Sequence, residues 1–203
     1  QLLALPSFFL YPSAVAELEN TTRNPFSTVR LDATFPVAEG PDGLAEAVRR
    51  LADQAATEVG GGAGILIIDD GDIAIDRAPV PSLLALGAVH QRLVDLGHRS
   101  STGLIAVADD ARDTHAIAAL LGFGADAVCP RLALETVAAE ADRGDSADVV
   151  SPEAQTRFEA AIASAFRLRN SVFAEVLLIA FVYVVGVLII WRQYSALATA
   201  TWY

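Results

Sequence analysis

Short, continuously apolar runs alternate with segments of helical periodicity through most of the chain, and this alternation restricts the possible folds more than any other feature. The runs GILIID (64–69), GLIAVA (103–108) and DAVCP (126–130) are apolar almost throughout, as strands buried on both faces of a parallel sheet are. The segment LDATFPV (31–37) predicts a further strand, or an extended stretch leading into one.

Segments of helical periodicity lie between and after these runs. PDGLAEAVRRLADQAATEV (41–59) places Leu44, Val48, Leu51 and Ala55 on one face. Three more helices are predicted at SLLALGAVHQRLVDLG (82–97), ARDTHAIAALLG (111–122, with Gly122 as its C-cap) and RLALETVAAEA (131–141). We therefore predict an α/β domain over residues 1–140, with about four right-handed βα units on a parallel sheet. Four units are half the complement of a barrel, so the fold resembles a partial or degenerate TIM-type barrel.

The composition changes after residue 140. Residues 141–152 are acidic and hold few large apolar side chains, which is typical of a linker. An amphipathic helix is predicted over 153–170, with Phe158, Ile162 and Phe166 on one apolar stripe. The chain also starts at Gln1 rather than Met, so we expect a fragment or one piece of a longer polypeptide.

Residues 171–191, SVFAEVLLIAFVYVVGVLIIW, carry a single charge and match the roughly 20 residues that a helix needs to cross a bilayer. Trp191 and Tyr194 resemble an interfacial aromatic belt, so we predict a transmembrane helix followed by a tail over 192–203. Arginines are more frequent before this span than after it, which predicts a cytoplasmic α/β domain anchored to the inner or plasma membrane. The alternative is a wholly buried helix of a larger soluble protein.

Charge and composition exclude several classes of function. The net charge is −11, and all 14 basic residues are arginine. Nucleic acid is therefore excluded as a partner, since no basic stripe is available to neutralise phosphates. Without lysine the chain cannot form a Walker-type phosphate loop or a Schiff base. Its single cysteine, Cys129, cannot form an internal disulfide or a self-contained iron–sulfur site, and a lone buried thiol is expected.

One acidic cluster is a candidate site. Asp69, Asp70 and Asp72 follow an apolar strand, at the carboxyl end where ligands of parallel α/β folds bind, and Asp76 lies in the same loop. Carboxylates so close together are weak candidates for Mg²⁺ or Ca²⁺ ligands. The spacing does not complete a twelve-residue calcium loop, so the alternative is an acidic turn in which Asp and Gly are simply the favoured residues.

Other catalytic constellations are incomplete. Asp109 and Asp110 follow a strand as the acids of a phosphoacceptor receiver domain do, but that site needs a lysine. His90, His98 and His115 are too scattered to indicate zinc. We also find no nucleophile elbow and no complete acid and base pair. The sequence therefore predicts no catalytic residue and no cofactor-binding residue in this chain.

Four separated blocks resemble the central domain of the glutamate synthase large subunit over about residues 3–137. These blocks are LPSFFL, LDATFPVAEGPDGLAEAVRRL, APVPSLLALGAVHQRLVDLGHRS and LLGFGADAVCPRLALETV. The resemblance implies an α/β unit without catalytic residues of its own, between an amidotransferase domain and a synthase domain that carries FMN and an iron–sulfur cluster. It implies that those two domains are the partners, and that the parent enzyme is an oxidoreductase of ammonia assimilation and glutamate biosynthesis.

The chain departs from the family pattern at several polar positions. Asp69, Asp70 and Gly71 stand where Ser-Asp-Arg is usual, and Cys129-Pro130-Arg131 replaces Asn-Pro-Tyr. A glutamate after the third strand is replaced within VADDARD, and paired histidines are replaced by His90-Gln91 and His115-Ala116. The tail after residue 150 does not resemble the FMN domain. Two hypotheses follow: a non-catalytic bridging region fused to a membrane span, or a membrane-anchored module that binds a small ligand or metal.

Overall fold

The computed structural model describes residues 3–5, 7–20, 26–143 and 152–166. It divides into two compact units, Gln1–Glu159 and Ala160–Tyr203. In the second unit the described residues, 160–166, are helical. In chain order the elements are α1 (Pro12–Glu19), β1 (Thr28–Asp32), β2 (Thr34–Pro36), α2 (Gly40–Gly60), β3 (Ile65–Asp69), β4 (Arg77–Pro79), α3 (Ser82–Asp95), β5 (Gly103–Val107), α4 (Thr114–Gly122), β6 (Ala127–Cys129), α5 (Arg131–Arg143) and α6 (152–166).

Four strands form one parallel sheet in the order β1-β3-β5-β6, and each of the four is followed by a helix, α2 to α5. The predicted α/β class and the parallel sheet are therefore confirmed. The register aligns Asp32 with Asp69, Asp69 with Val107, and Val107 with Cys129. Because parallel strands all point the same way, these residues lie along a single carboxyl edge of the sheet.

The two faces of the sheet are covered differently. One face carries Ile65, Ile67, Ile105 and Val107, which cluster with Val15 of α1. Alternate residues such as Leu66 and Leu104 point to the other face, and helix α3 contacts β3 and β5 there. Residues 8–10 lie along the outer side of β6, since Val128 N donates to Phe8 O at 2.8 Å and Leu10 N donates to Val128 O at 2.9 Å.

Two elements are not predicted by the sequence patterns. Helix α1 is one, and strand β4 is the other; β4 pairs antiparallel with β2, which lies within the segment 31–37 that was predicted to be extended. Strand β4 reads Arg77-Ala78-Pro79, which has neither an apolar run nor alternation. It is held by pairing with β2 and by the side chain of Arg77, which donates to Asp32 and to Thr34 Oγ1.

Two details of the predicted helices are wrong. The buried stripe of α2 runs through Gly43, Ala47, Leu51, Ala55 and Val59, while Leu44 and Val48 are only partly buried. Leu51 and Ala55 of the predicted face are fully buried, so the difference lies in the first half of the helix, where Gly43 and Ala47 are buried in place of Leu44 and Val48. The glycine that ends α4 with a positive φ is Gly124 (φ +110°), whereas the predicted C-cap Gly122 is the last helical residue.

Only some of the predicted carboxy-terminal segments fall on residues that the structure describes. Helix α5 extends to Arg143, past the expected boundary at 140, and the described part of α6, 152–166, overlaps the predicted helix 153–170, whose last four residues lie outside the described residues. Residues 144–151 of the expected linker, the predicted span 171–191 and the tail 192–203 lie outside the described residues. Within the described ranges, none of the helices combines the length and apolarity that a bilayer crossing requires.

Candidate functional site

The carboxyl ends of β3, β5 and β6 meet around one arginine. Arg131 is the first residue of α5 and follows β6 after a single proline. Its Nη1 donates to Asp69 Oδ1 at 2.8 Å, and its Nη2 donates to Asp70 Oδ1 at 3.1 Å. The same Nη2 lies 2.9 Å from Asp109 Oδ2. One guanidinium thus joins acids from the ends of two strands to the beginning of the last helix of the βα series.

The three candidate metal ligands have different surroundings. Asp69 and Asp70 are buried, and the second oxygen of Asp69 pairs with Arg30 Nε at 3.0 Å. Asp72 has a side chain that is 58% exposed, with Arg30 Nη2 3.6 Å from its carboxylate. The structure therefore brings Asp69 and Asp70 together at the strand end, as predicted, but turns Asp72 outward.

Two further acids complete this carboxyl-edge cluster. The Asp109 backbone N–H donates to Asp70 Oδ2 at 2.9 Å, and Asp109 Oδ1 is buried without a hydrogen-bond partner among the described residues. Asp110 turns the other way and caps α3, since Ser82 N donates to its Oδ2 at 3.1 Å and the Ser82 hydroxyl donates to its Oδ1. Asp109 thus belongs to the cluster around Arg131, whereas Asp110 caps α3.

Burial and charge shift the ionisation of the cluster. Burial raises the pKa of Asp70 to about 6, assisted by the charges of Asp109 and Asp110 and opposed by the Asp109 N–H and by Arg131. Burial alone lowers the pKa of Arg131, but Asp109 and Asp69 raise it above the ordinary value. Burial raises the pKa of the Cys129 thiol to about 12. The thiol is therefore neutral at physiological pH, as expected for a buried structural cysteine.

A glycine makes the close approach of Arg131 possible. A Cβ atom added at Gly71 would lie 2.2 Å from Arg131 Nη1. The Gly71 N–H also donates to Asp69 Oδ1 at 2.7 Å, so the turn itself helps to satisfy the buried carboxylate. Sequence reasoning identified the acids of this cluster but missed Arg131 and the role of Gly71. Gly71 and Arg131 both stand at positions where the sequence departs from the family pattern. That departure is the feature of the sequence that could have identified them.

This arrangement is an ion-pair cluster in which a guanidinium occupies the space between the carboxylates. Among the described residues, no group of three or more His, Cys, Asp or Glu side chains is arranged to hold a metal ion. An anionic group fits poorly, because the carboxylates of Asp69, Asp70 and Asp109 already surround the half-buried guanidinium of Arg131. The residues at this edge therefore do not fit the phosphate of FMN.

A second arginine closes the opposite, amino edge of the sheet. Arg99 donates to Thr102 O at 2.6 Å, Gly124 O at 2.7 Å, Asp126 Oδ2 at 3.0 Å and His90 Nδ1 at 3.1 Å. Asp126 also accepts from the backbone N–H of β5, at Leu104, at 2.8 Å. His90 is therefore a partner of Arg99, while His98 follows α3 and His115 lies in the first turn of α4.

Comparison with known proteins places these observations in a family context. The family described as the glutamate synthase central domain matches residues 1–167, past the residue 137 at which the resemblance was expected to end. Glutamate synthase (NADH) of Schizosaccharomyces pombe is 36% identical over 137 residues, which cover 66% of this chain and 6% of that protein.

Two further relatives give the same result. The chloroplastic ferredoxin-dependent glutamate synthase of Oryza sativa subsp. japonica is 40% identical over 109 residues, covering 52% of this chain and 7% of that protein. The glutamate synthase (NADPH) large chain of Azospirillum brasilense is 39% identical over 118 residues, covering 58% and 8%. The chain thus spans less than a tenth of the length of these relatives.

Proposed function

This chain belongs to the glutamate synthase central domain family, and from that premise we propose that it is a non-catalytic, domain-bridging region of a glutamate synthase large subunit. Its role would lie in ammonia assimilation and glutamate biosynthesis. The observation that carries the proposal is the carboxyl edge of the sheet. Ligand sites of open α/β sheets lie at this edge, and here Arg131 fills it by pairing with Asp69, Asp70 and Asp109.

The order of the elements also supports a scaffold role. Four βα units follow one another in chain order, which is the arrangement expected of half a barrel. The sheet face that would line such a barrel is instead covered by α1 and the residues around it, including Val15 and Leu18. This face therefore contributes to a packed core.

The chemistry would reside in neighbouring domains. We propose an amidotransferase domain and an FMN-containing synthase domain as the partners, with FMN and the iron–sulfur cluster held by the synthase domain. The single cysteine of this chain cannot supply the ligand set of a cluster. The bridging region would fix the spacing of the two partner domains.

A domain exchange tests the bridging role. Residues 1–167 would replace the matched segment of the Azospirillum brasilense large chain, and glutamine-dependent glutamate formation would be measured. We expect the chimera to retain this coupled activity, and a Gly/Ser linker of equal length to lose it. A chimera that hydrolyses glutamine and also uses added ammonia, yet does not couple the two, would overturn the proposal.

We also propose that residues 171–191 anchor the α/β domain to a membrane, with that domain on the cytoplasmic side. The support is the length and apolarity of the segment in the sequence. Extraction of cell membranes with alkaline carbonate tests it. The full chain should stay in the pellet, and the double variant Val184→Arg, Val185→Arg should be released. Equal release of both would show that the segment is not a membrane anchor.

A further inference from the structure

Three aliphatic side chains are exposed together at the end of the β2–β4 ribbon. Val37 is 51% exposed, Ile73 is 47% exposed and Ile75 is fully exposed. Val37 N donates to Asp76 O at 2.8 Å, which places the residue after β2 beside the loop before β4. We call Val37, Ile73 and Ile75 the apolar tip.

The backbone holds this tip in a fixed shape. Ala74 and Arg77 exchange two hydrogen bonds, with Ala74 N donating to Arg77 O at 3.2 Å and Arg77 N donating to Ala74 O at 3.1 Å. The side chain of Arg77 then donates to Asp32 and Thr34 at the base of the ribbon. A partner would therefore meet a surface that is already ordered, so little conformational entropy would be lost on binding.

The fold of this chain does not explain an isoleucine at the most exposed position. Ile75 and Asp76 form a two-residue loop, where Gly or Asn is favoured because the preferred turns need positive φ. No described residue other than glycine has a positive φ, so this loop uses a different turn. A β-branched side chain that is fully exposed there gains no burial within its own domain.

We propose that the apolar tip inserts into an aliphatic or aromatic pocket on another domain of the same large-subunit polypeptide. This inference rests on the proposed function. The matched segment is only 6–8% of the three relatives, so most of such a polypeptide is available to cover this surface. The exposed carboxylates of Asp72 and Asp76 flank the tip; Arg30 lies 3.6 Å from Asp72 but is shared with the buried Asp69, and Arg77 pairs with Asp32. The pocket is therefore expected to have a basic rim.

A second exposed apolar surface provides a matched control. Leu84 of α3 is 46% exposed and lines a groove of about 750 Å³ with Phe123 and residues of α3. Leu84→Asp introduces the same charge as Ile75→Asp, at a similarly exposed aliphatic position. Because Leu84 lies in the first turn of α3, an acid there does not oppose the helix dipole.

The chimera described above tests the tip directly. Carbene footprinting should label Ile75 strongly in the isolated 203-residue chain and at least about tenfold less in the chimera. Ile75→Asp should lower glutamine-dependent glutamate formation about tenfold or more, with glutamine hydrolysis and ammonia-dependent synthesis retained. Leu84→Asp should leave the coupled activity within about twofold of the unsubstituted chimera.

The outcomes separate the tip from the bridging role. A coupled chimera in which Ile75 stays as reactive as in the isolated chain would overturn the tip proposal and leave the bridging function intact. An unsubstituted chimera that does not couple would overturn both. Ile75-dependent self-association, or Ile75-dependent binding to phosphatidylcholine vesicles, in place of protection in the chimera would also overturn the proposal.

Discussion

The two edges of the parallel sheet are each closed by one arginine, and the two arginines have different partners. The side chains of Arg131 and Arg99 are almost equally buried, at 20% and 21% exposed. Among the described residues, Arg131 pairs with three carboxylates, whereas Arg99 pairs with one carboxylate, one imidazole nitrogen and two backbone carbonyls. The two arginines are therefore equally buried, but Arg131 compensates much more negative charge than Arg99 does.

This difference shows what an arginine contributes at each position. At the carboxyl edge it balances buried negative charge, which would be costly if left unpaired. At the amino edge it mainly supplies donors to acceptors that carry little or no charge, together with one half-exposed carboxylate. The stability that the carboxyl edge contributes should therefore depend on charge and on pH. The stability that the amino edge contributes should depend chiefly on hydrogen bonds.

The largest expected effect comes from removing each cation. Arg131→Met should lower the free energy of unfolding by about 3–5 kcal/mol, because three acids lose their shared partner. Arg99→Met should cost about 1–3 kcal/mol, since it leaves mostly neutral acceptors unpaired. Urea unfolding of the full chain, followed by far-UV circular dichroism, measures both.

The exposed Arg112 provides the control for this pair. Arg112→Met should change the free energy of unfolding by no more than about 0.5 kcal/mol. Equal losses for Arg131→Met and Arg99→Met would show that the two edges are energetically equivalent, contrary to the comparison.

The next largest effect is a dependence on pH. Because the pKa of Asp70 is raised to about 6, mainly by burial, the folded state binds this proton more tightly than the unfolded chain does. The stabilisation of the folded state by this proton is fully present below the ordinary pKa of an aspartate, about 4, and is lost as the pH rises through about 6. The expected loss across this window is about 2–3 kcal/mol.

A series of urea midpoints across this pH window measures the effect. Asp70→Asn should remove this component of the pH dependence, because the amide does not titrate. Asp109→Asn should shift the window to lower pH, because it removes a charge that raises the pKa of Asp70. A wild-type protein whose pH dependence is the same as that of Asp70→Asn would contradict the assignment.

The smallest effects come from the glycines at the two edges. Gly124→Ala should cost about 2 kcal/mol, because the position has φ +110° and the new Cβ would lie 2.0 Å from His90 Nδ1. Gly71→Ala should cost about 1 kcal/mol, since the atom in its way is the end of the long Arg131 side chain. Thermal unfolding of matched variants measures these changes.

Gly122→Ala is the matched control within the same helix end. No atom beyond the neighbouring backbone of the same helix lies within 4 Å of the added Cβ, and the position is helical, so stability should rise by about 0.5 kcal/mol. If Gly71→Ala costs more than Gly124→Ala, the Arg131 side chain is fixed more firmly than the backbone at the amino edge.

Three strands of the parallel sheet, β3, β5 and β6, are predictable from the sequence because they are short apolar runs with helices between them. Strand β1 (Thr28–Asp32) is not an apolar run, and the predicted segment 31–37 overlaps it only at Leu31 and Asp32. Strand β3 (Ile65–Asp69) falls within the predicted run 64–69, and α2 (Gly40–Gly60) is within one residue of the prediction at each end. The buried face of α2 is predicted at Leu51 and Ala55 but not in the first half of the helix, where hydrophobicity selects Leu44 and Val48 while close packing selects Gly43 and Ala47.

The closing arginines are harder to predict, because their contacts connect distant parts of the chain. Arg131 and Asp69 are 62 residues apart, and no local period relates them. The acids at the strand ends were identifiable, and so was their position at the carboxyl edge. The missing information was the shape of the space between them, which depends on Gly71 and on the single residue, Pro130, that connects β6 to α5. Strand β4 was missed for a related reason, since Arg77-Ala78-Pro79 forms a strand only through its pairing with β2.

The pairing of residues 8–10 with β6 has a consequence for synthesis of the protein on the ribosome. Strands β1, β3, β5 and β6 emerge in the order in which they pair, so each new strand finds an edge already formed. The segment around Phe9, in contrast, is made before these strands but can pair only after Val128 has been made. It is therefore among the last parts of the sheet to reach its final place. When it does, it covers the edge of β6 on which another chain would otherwise add a strand.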